Sequence, residues 1–329
     1  MSNYAFLAFT DRGASLAEKL CRALGGSLTA AHGEAEFSLS AWTAENFPRR
    51  DALIFVGAAG IAVRAVAPFL KSKATDPAVI ALDEAGCYVI PLLSGHLGGA
   101  NALARELAAL CGGTAVISTA TDLNGVFAVD LWAKKQGLRL LQPERIKAVS
   151  ARLLAGESVR IESAWPIAGE PPAGVTLGGA AELLVDFRRR DTGALCLVPP
   201  VLTLGIGCRK GTGEEQIEAA FTSFLAERGI RPEAIAAAAS LDRKAGEPGL
   251  LAFCERHGWP LSFFSSEELL SLEGDFSASA FVRETVGVDN VCERSAAAAC
   301  GGTVVERKYA SGGVTLALAE VEPELDWSV

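Results

Sequence analysis

No window of the sequence approaches the roughly 20 uninterrupted apolar residues of a membrane-spanning helix, and the opening MSNYAFLAFTDRG has no basic segment ahead of a long apolar core. The expectation is a soluble, cytoplasmic chain. Its eight cysteines (Cys21, Cys87, Cys111, Cys196, Cys208, Cys254, Cys292, Cys300) include no C-x-x-C pair, so they read as reduced thiols and not as a disulfide framework. Histidine is scarce, with three in the chain; no His, Cys and carboxylate set has metal-site spacing, and no G-x-S-x-G elbow occurs. Positive charge is also short. Thirty Lys and Arg against 39 Asp and Glu leave a net charge of −9, which argues against broad nucleic-acid binding and obliges any anionic ligand to find a local cationic cluster.

What is present is a globular balance, 50% hydrophobic and 21% charged over 329 residues, enough for two or three domains. The stretch from Val89 to Leu110, VIPLLSGHLGGANALARELAAL, organises the first of them. Its apolar run predicts a strand covered on both faces, and Leu103, Leu107 and Leu110 predict a helix. Between them a glycine loop delivers the chain to a helix N-terminus suited to a carboxylate or phosphate. Ahead of it, Asp83-Glu84-Ala85-Gly86 reads as a hairpin turn joining strands at Val79–Leu82 and Cys87–Leu93. Tyr4–Phe9 and Ala52–Val56 read as strands, Ala14–Leu24 as a helix, residues 27–50 as irregular, and Thr121 or Asp122 as the cap of a helix running to Lys135.

From 137 to 200 the texture changes to short elements punctuated by Pro166, Pro171, Pro172, Pro199 and Pro200. At Val201 the α/β pattern resumes with VLTLGIG and the loop Cys208-Arg209-Lys210-Gly211-Thr212, where Thr212 and Glu215 have capping-box spacing. The expected architecture is therefore multi-domain α/β: a layered N-terminal domain (1–136), a small middle module (137–200) and a layered C-terminal domain (201–329). The join Cys-Gly-Gly-Thr occurs twice, at 111–114 and 300–303, and is read as shared packing geometry rather than a repeat.

Three stretches point to chemistry. His96 in its glycine loop, with Ser94 and Asn101, can bind an anion and supply a base, or merely cap a helix. Asp83 and Glu84 form either an acid/base pair or a solvated turn. Gly205-Ile-Gly207-Cys208-Arg209-Lys210-Gly211-Thr212 nearly matches two nucleotide signatures and satisfies neither, because Lys210 precedes Gly211 and the glycines are misspaced. What remains is a cation pair before a helix, or a salt-bridged surface loop. Asp242, Lys244 and Glu247 read most simply as surface ion pairs.

With these residues assembled, the chain resembles the cobalt-precorrin-5A hydrolase (CbiG) family of anaerobic cobalamin synthesis. The resemblance is carried by IFVGAAGIAVR (54–64), Thr75–Pro77, Asp83–Gly86, IPLLSGHLGGAN (90–101), Thr119–Asp122, GIGCRKGT (205–212), SLDRKAGEPGL (240–250), Phe263–Leu269, VCERSA (291–296) and Val314–Ala319. It implies opening of the δ-lactone of the cobalt-containing macrocycle and release of acetaldehyde to give cobalt-precorrin-5B. Cobalt arrives in the substrate, so no cofactor and no protein metal site is expected. On this reading His96, Asp83 and Glu84 are the catalytic candidates, and backbone N–H groups at Gly98 to Ala100 the oxyanion donors. Substrate contacts are expected at Gly57, Gly60, Ser94, Gly95, Gly98, Gly99, Asn101, Gly207, Arg209, Lys210, Thr212, Asp242, Lys244 and Glu293. The implied partners are the tetrapyrrole and, transiently, neighbouring pathway methyltransferases, with no nucleic acid or membrane. A hand-over protein that binds corrinoid intermediates without turnover is the alternative, and a nucleotide-dependent oxidoreductase a third reading.

Overall fold

The structure, a computed structural model, describes residues 3–32, 36–72, 75–96, 98–277 and 289–328. Contact density divides the chain into two compact units, Met1–Leu131 and Trp132–Val329. Among the described residues no helix is long and apolar enough to cross a membrane.

The first unit contains β1 (Tyr4–Ala8), α1 (Asp11–Leu24), β2 (Ser27–Ala30), α2 (Leu39–Asn46), β3 (Ala52–Val56), α3 (Ala59–Val66), β4 (Ala78–Leu82), β5 (Tyr88–Leu93), α4 (Ala100–Cys111), β6 (Thr114–Ala115), α5 (Ala120–Asn124) and the start of α6 (Val129–Lys135). Its sheet runs β2-β1-β3-β4-β5-β6. The first four strands are parallel; β5 turns back against β4, and β6 follows β5 in parallel. Every residue of β3 and β4 is buried because helices cover both faces. One face packs Phe6, Ile54 and Ile80 against Leu20, Leu103 and Leu107; the other packs Leu53, Phe55 and Val79 against Trp42, Phe47 and Val66.

The stretch expected to be irregular, 27–50, in fact supplies β2 and α2. β2 is a short edge strand with no buried residue, and α2 has an almost unpatterned surface, so neither carries the periodicity that announces an element. The helix expected from Thr121 to Lys135 is two helices, because Gly125 closes α5 in the left-handed region (φ 59°).

The second unit holds two five-stranded sheets. The first joins β7 (Arg139–Leu140), β8 (Val159–Ser163), β10 (Val175–Leu177), β11 (Leu183–Val185) and β12 (Leu195–Val198), with α7 (Ile146–Leu154) beside β8; a two-residue β9 (Ile167–Ala168) lies apart and pairs with β18 (Leu325–Asp326). The second runs β15-β14-β13-β17-β16, built from β13 (Leu202–Cys208), β14 (Ile235–Leu241), β15 (Leu261–Phe264), β16 (Thr303–Ser311) and β17 (Val314–Glu320). Its helices are α8 (Glu214–Arg228), α9 (Pro248–His257), α10 (Ser266–Ser271) and α11 (Val291–Cys300). The capping box expected at Thr212 is absent: Gly213 caps α8, and the Thr212 hydroxyl donates to the Arg209 carbonyl at 2.9 Å. A capping box does form at Ser265 and Glu268.

The two Cys-Gly-Gly-Thr joins use their glycines identically. Gly112 and Gly301 end their helices at φ 70° and 66°. At Gly113 and Gly302 a Cβ would stand 2.0 Å from the Gly86 carbonyl oxygen and 1.9 Å from that of Glu320, so only glycine lets one helix end pass the hairpin turn and the other the end of β17.

Candidate functional site

The register of the β4–β5 pair sorts the candidate residues of the first unit. Leu82 pairs with Val89 and Val79 with Leu93, so the Asp83–Glu84 turn and the His96 loop leave opposite ends of the sheet, about 15 Å apart for a five-residue strand. Gly57, Gly60, Asp83 and Glu84 share one end and the Ser94–Asn101 loop occupies the other, so the three expected catalytic residues do not converge on one atom.

At the first end, β1 and β3 diverge to β2 and β4, the arrangement that opens a crevice beyond parallel strands. A cavity of about 300 Å³ lies there, lined by Phe9, Thr10, Val56, Gly57, Ala58, Ile61, Asp83 and Glu84. Asp83 is committed to its own turn: its carboxylate accepts from Ala85 N at 2.9 Å, Cys87 N at 3.3 Å and Tyr88 N at 2.6 Å. Burial alone would raise its pKa, yet these N–H groups hold it below the usual carboxylate range, which opposes a role as base. Glu84 accepts from the Thr10 hydroxyl at 2.6 Å, and the same oxygen of Thr10 caps α1 through Gly13 N.

At the second end the glycine loop folds on itself. Gly99 N donates to the His96 carbonyl (2.8 Å), Ala100 N to that of Ser94 (3.1 Å) and Asn101 N to that of Gly95 (3.0 Å). The N–H groups of Gly99 and Ala100 expected to face an oxyanion are thus turned inward. The loop's glycines serve its own tightness: a Cβ at Gly98 would stand 2.3 Å from that of Ser94, and one at Gly95 2.8 Å from Asn101 Oδ1. The Ser94 hydroxyl donates to the Asp76 carbonyl (2.8 Å).

This compaction projects His96 into a polar cluster. His96 Nε2 lies 2.9 Å from Asp122 Oδ2 and 3.1 Å from Thr121 Oγ1, and Nδ1 lies 3.4 Å from Asp130 Oδ2. Asp122 is saturated: Asn101 Nδ2 donates to Oδ2 at 2.9 Å and the Arg105 guanidinium to Oδ1 at 2.6 Å. Asn101 also donates to Thr119 Oγ1 at 2.8 Å. The side chains of His96, Asp122 and Asp130 are 17%, 12% and 11% exposed, so the charges interact in a partly desolvated setting where they are weakly screened. Asp130 and then Asp122 raise the pKa of His96, against the opposing effect of burial. Burial would raise both carboxyls, but Arg105, His96 and Asn101 hold Asp122 low, and His96 with Leu131 N holds Asp130 low. The two carboxylates therefore favour the protonated imidazole more than an ordinary histidine environment does.

Asp122, Asp130, Thr121 and Arg105 carry little functional signal in the sequence itself. Asn101 and Arg105 stand i, i+4 on α4, a spacing that puts both on one face, and this was the available signal. Asp130, at the start of α6, had none.

In the second unit, the parallel strands β13, β14 and β15 bring Arg209, Lys210 and Asp242 to their common carboxyl end, all three exposed. Arg209 N donates to the Gly313 carbonyl (3.2 Å), and Glu247 accepts from Gly211 N (2.8 Å), which fixes the loop. Lys244 is spent on Glu247 at 3.0 Å, the ion-pair alternative. Gly207 is a strand residue whose missing Cβ makes room for Thr315 Oγ1, and Gly205 lets α11 approach, since a Cβ there would meet the Cys292 carbonyl oxygen at 1.8 Å. Neither geometry points to a ligand. Glu293, expected to contact substrate, is fully buried and accepts from Ser277 N and Lys308 N, both at 2.8 Å, so it fastens α11 to β16. Among the described residues, no group of three His, Cys, Asp or Glu is placed to hold a metal ion.

The model for the cobalamin synthesis G N-terminal region matches residues 41–122, that for the cobalamin biosynthesis central region 127–199, and that for the cobalamin synthesis G C-terminus 202–319. A cobalt-precorrin-5A hydrolase from Salmonella typhimurium is 36% identical over 292 residues, covering 83% of this chain and 82% of that protein. One from Priestia megaterium is 32% identical over 291 residues, covering 81% and 78%. A solved cobalamin biosynthesis protein G homologue from Sulfolobus solfataricus aligns over 97% of both chains with 23% identity and a TM-score of 0.41.

Proposed function

The chain belongs to the cobalt-precorrin-5A hydrolase family, and from that premise we propose that the His96 cluster is where its reaction is catalysed. The reaction is hydrolysis of cobalt-precorrin-5A: the δ-lactone opens, acetaldehyde leaves and cobalt-precorrin-5B remains. The observation that carries the site is the imidazole of His96 held between Asp122 and Asp130.

Lactone opening adds hydroxide to the acyl carbon and a proton to the departing ring oxygen. The protonated imidazole supplies that proton as the C–O bond breaks; the neutral ring then recovers the one that the attacking water sheds. Asp122, saturated by Arg105 and Asn101, is a fixed anion that holds the ring and does not itself take the proton. Cobalt enters with the macrocycle, and the protein supplies no cofactor. Arg209 and Lys210 offer the exposed cationic contact that a carboxylate-rich macrocycle needs on an acidic protein.

Incubating the pure protein with cobalt-precorrin-5A and trapping the volatile aldehyde tests the reaction, and His96→Gln tests the site. Aldehyde release by wild type and its loss in folded His96→Gln is the expected pair of results. Tight tetrapyrrole binding without aldehyde would replace the hydrolase by a hand-over protein, and full turnover by His96→Gln would move the chemistry to the Glu84 crevice.

A further inference from the structure

His96 does not sit symmetrically between its two carboxylates. On the Nε2 side, Asp122 is anchored by donors from α4, with Arg105 at 2.6 Å and Asn101 at 2.9 Å, so its position is set independently of the histidine. On the Nδ1 side, Asp130 accepts from Leu131 N at 3.1 Å and approaches the ring only to 3.4 Å. Among the described residues the charged groups facing this ring are Asp122 on α5 and Asp130 on α6, with Arg105 of α4 directly behind Asp122. They form a line of alternating charge: Arg105, Asp122, His96, Asp130.

We propose that Asp130 and Arg105 are positioning residues for the His96 proton, acting on it in opposite senses. Asp130 faces the charged ring directly and favours the imidazolium. Arg105 draws on the Asp122 carboxylate from the other side, so it lessens the share of that anion available to the ring and favours release of the proton. The longer Nδ1 contact marks the proton that departs: Nε2–H is held at 2.9 Å by a fixed acceptor, whereas Nδ1–H is held loosely and is the one transferred to the leaving oxygen. When the proton leaves, two anions flank a neutral ring, and their repulsion drives the return of a proton from water. The balance between Asp130 and Arg105 thereby sets the pH at which the site operates. This inference rests on the reading of His96 as the proton carrier.

The chain contains three histidines, His32, His96 and His257, so the His96 ring resonance is assignable by NMR from its disappearance in His96→Gln. Its titration midpoint should fall in Asp130→Asn and rise in Arg105→Gln, each by on the order of half a pH unit for a partly screened charge. Arg105 is half exposed, so its replacement leaves the fold intact, and Arg105→Lys, which keeps the charge, should restore the wild-type midpoint. The pH at which kcat falls on the alkaline side should move with each midpoint while KM changes little. Unchanged midpoints in both Asp130→Asn and Arg105→Gln overturn the proposal, as does failure of Arg105→Lys to restore the value. If Asp130→Asn does not fold, the Arg105 pair decides alone. Midpoints that move while the kcat profile stays fixed leave the positioning roles standing and remove His96 as the proton carrier.

Discussion

Val79 and Leu93 are register partners in the antiparallel β4–β5 pair, and this one pairing places Asp83 and His96 beyond opposite ends of the sheet. Two residues 13 positions apart that look like partners in sequence thus serve separate regions. The Asp83 end has the cavity and the His96 end has the titratable cluster.

For His96→Gln, turnover should drop by about 10² to 10⁴, the usual cost of losing a proton-transfer group. In wild type the rate should fall as pH rises through the elevated pKa of His96, because the working form is protonated. A rate that instead falls on acidification toward the ordinary value of about 6.5 restores the neutral-base role.

The same residue should leave a mark on stability. Its folded pKa is raised, so its stabilising contribution is complete below the unfolded value of about 6.5 and is lost as pH rises through the folded one. Urea titrations of wild type and His96→Gln should therefore differ most in mildly acidic buffer and converge in alkaline buffer. A gap that widens with pH contradicts the two-carboxylate environment.

Asp83→Asn tests a turn residue. Loss of acceptor strength toward Ala85, Cys87 and Tyr88 should cost about 1 kcal/mol, discounted because the group is partly exposed, with turnover per folded molecule retained. Because its folded pKa is depressed, the contribution of Asp83 is present above the unfolded value of about 3.9 and disappears as pH falls through the folded one. A loss of turnover with no change in melting temperature would return Asp83 to the chemistry.

Arg209→Glu should raise KM several-fold without lowering kcat, and wild-type KM should rise with salt, given a screening length of about 8 Å at physiological ionic strength. Steady-state kinetics at two salt concentrations is the check. Equal KM values for wild type and variant would make the 208–213 loop purely structural.

Gly113→Ala and Gly302→Ala should each destabilise by about 1 to 3 kcal/mol, since the added methyl meets a backbone carbonyl, that of the Gly86 turn in one case and that of strand residue Glu320 in the other. Denaturant midpoints for the two variants should fall together. A neutral result at either join would mean that the helix end can shift aside.

Much of the framework is local and so legible in the sequence. The apolar runs at Ala52–Val56 and Tyr88–Leu93 are strands, the first buried throughout, whereas the second, expected to be covered on both faces, buries Val89 alone and exposes Tyr88; the Asp83–Gly86 turn is a hairpin with Gly86 at φ 72°, and the loop at His96 opens a helix. β2 and α2 were not legible, since an exposed edge strand and an unpatterned helix carry no periodicity. Sequence also marks His96 and Asn101, because a histidine in a glycine loop is uncommon and its chemistry travels with the residue. What surrounds His96 is another matter. Asp122 and Asp130 arrive from two separate helices, and their approach to 2.9 and 3.4 Å depends on where α5 and α6 end up against the loop. That approach favours the protonated ring, a bias that the residue alone does not carry. Glycine has the same ambiguity: the letters at Gly95, Gly98, Gly205 and Gly207 are consistent with a ligand cradle, and only tertiary contacts reveal that each is small to admit a neighbouring part of the chain. Residue type and periodicity are properties of short segments, whereas strand direction, close approach and charge pairing are relations between segments, and only the folded chain sets them.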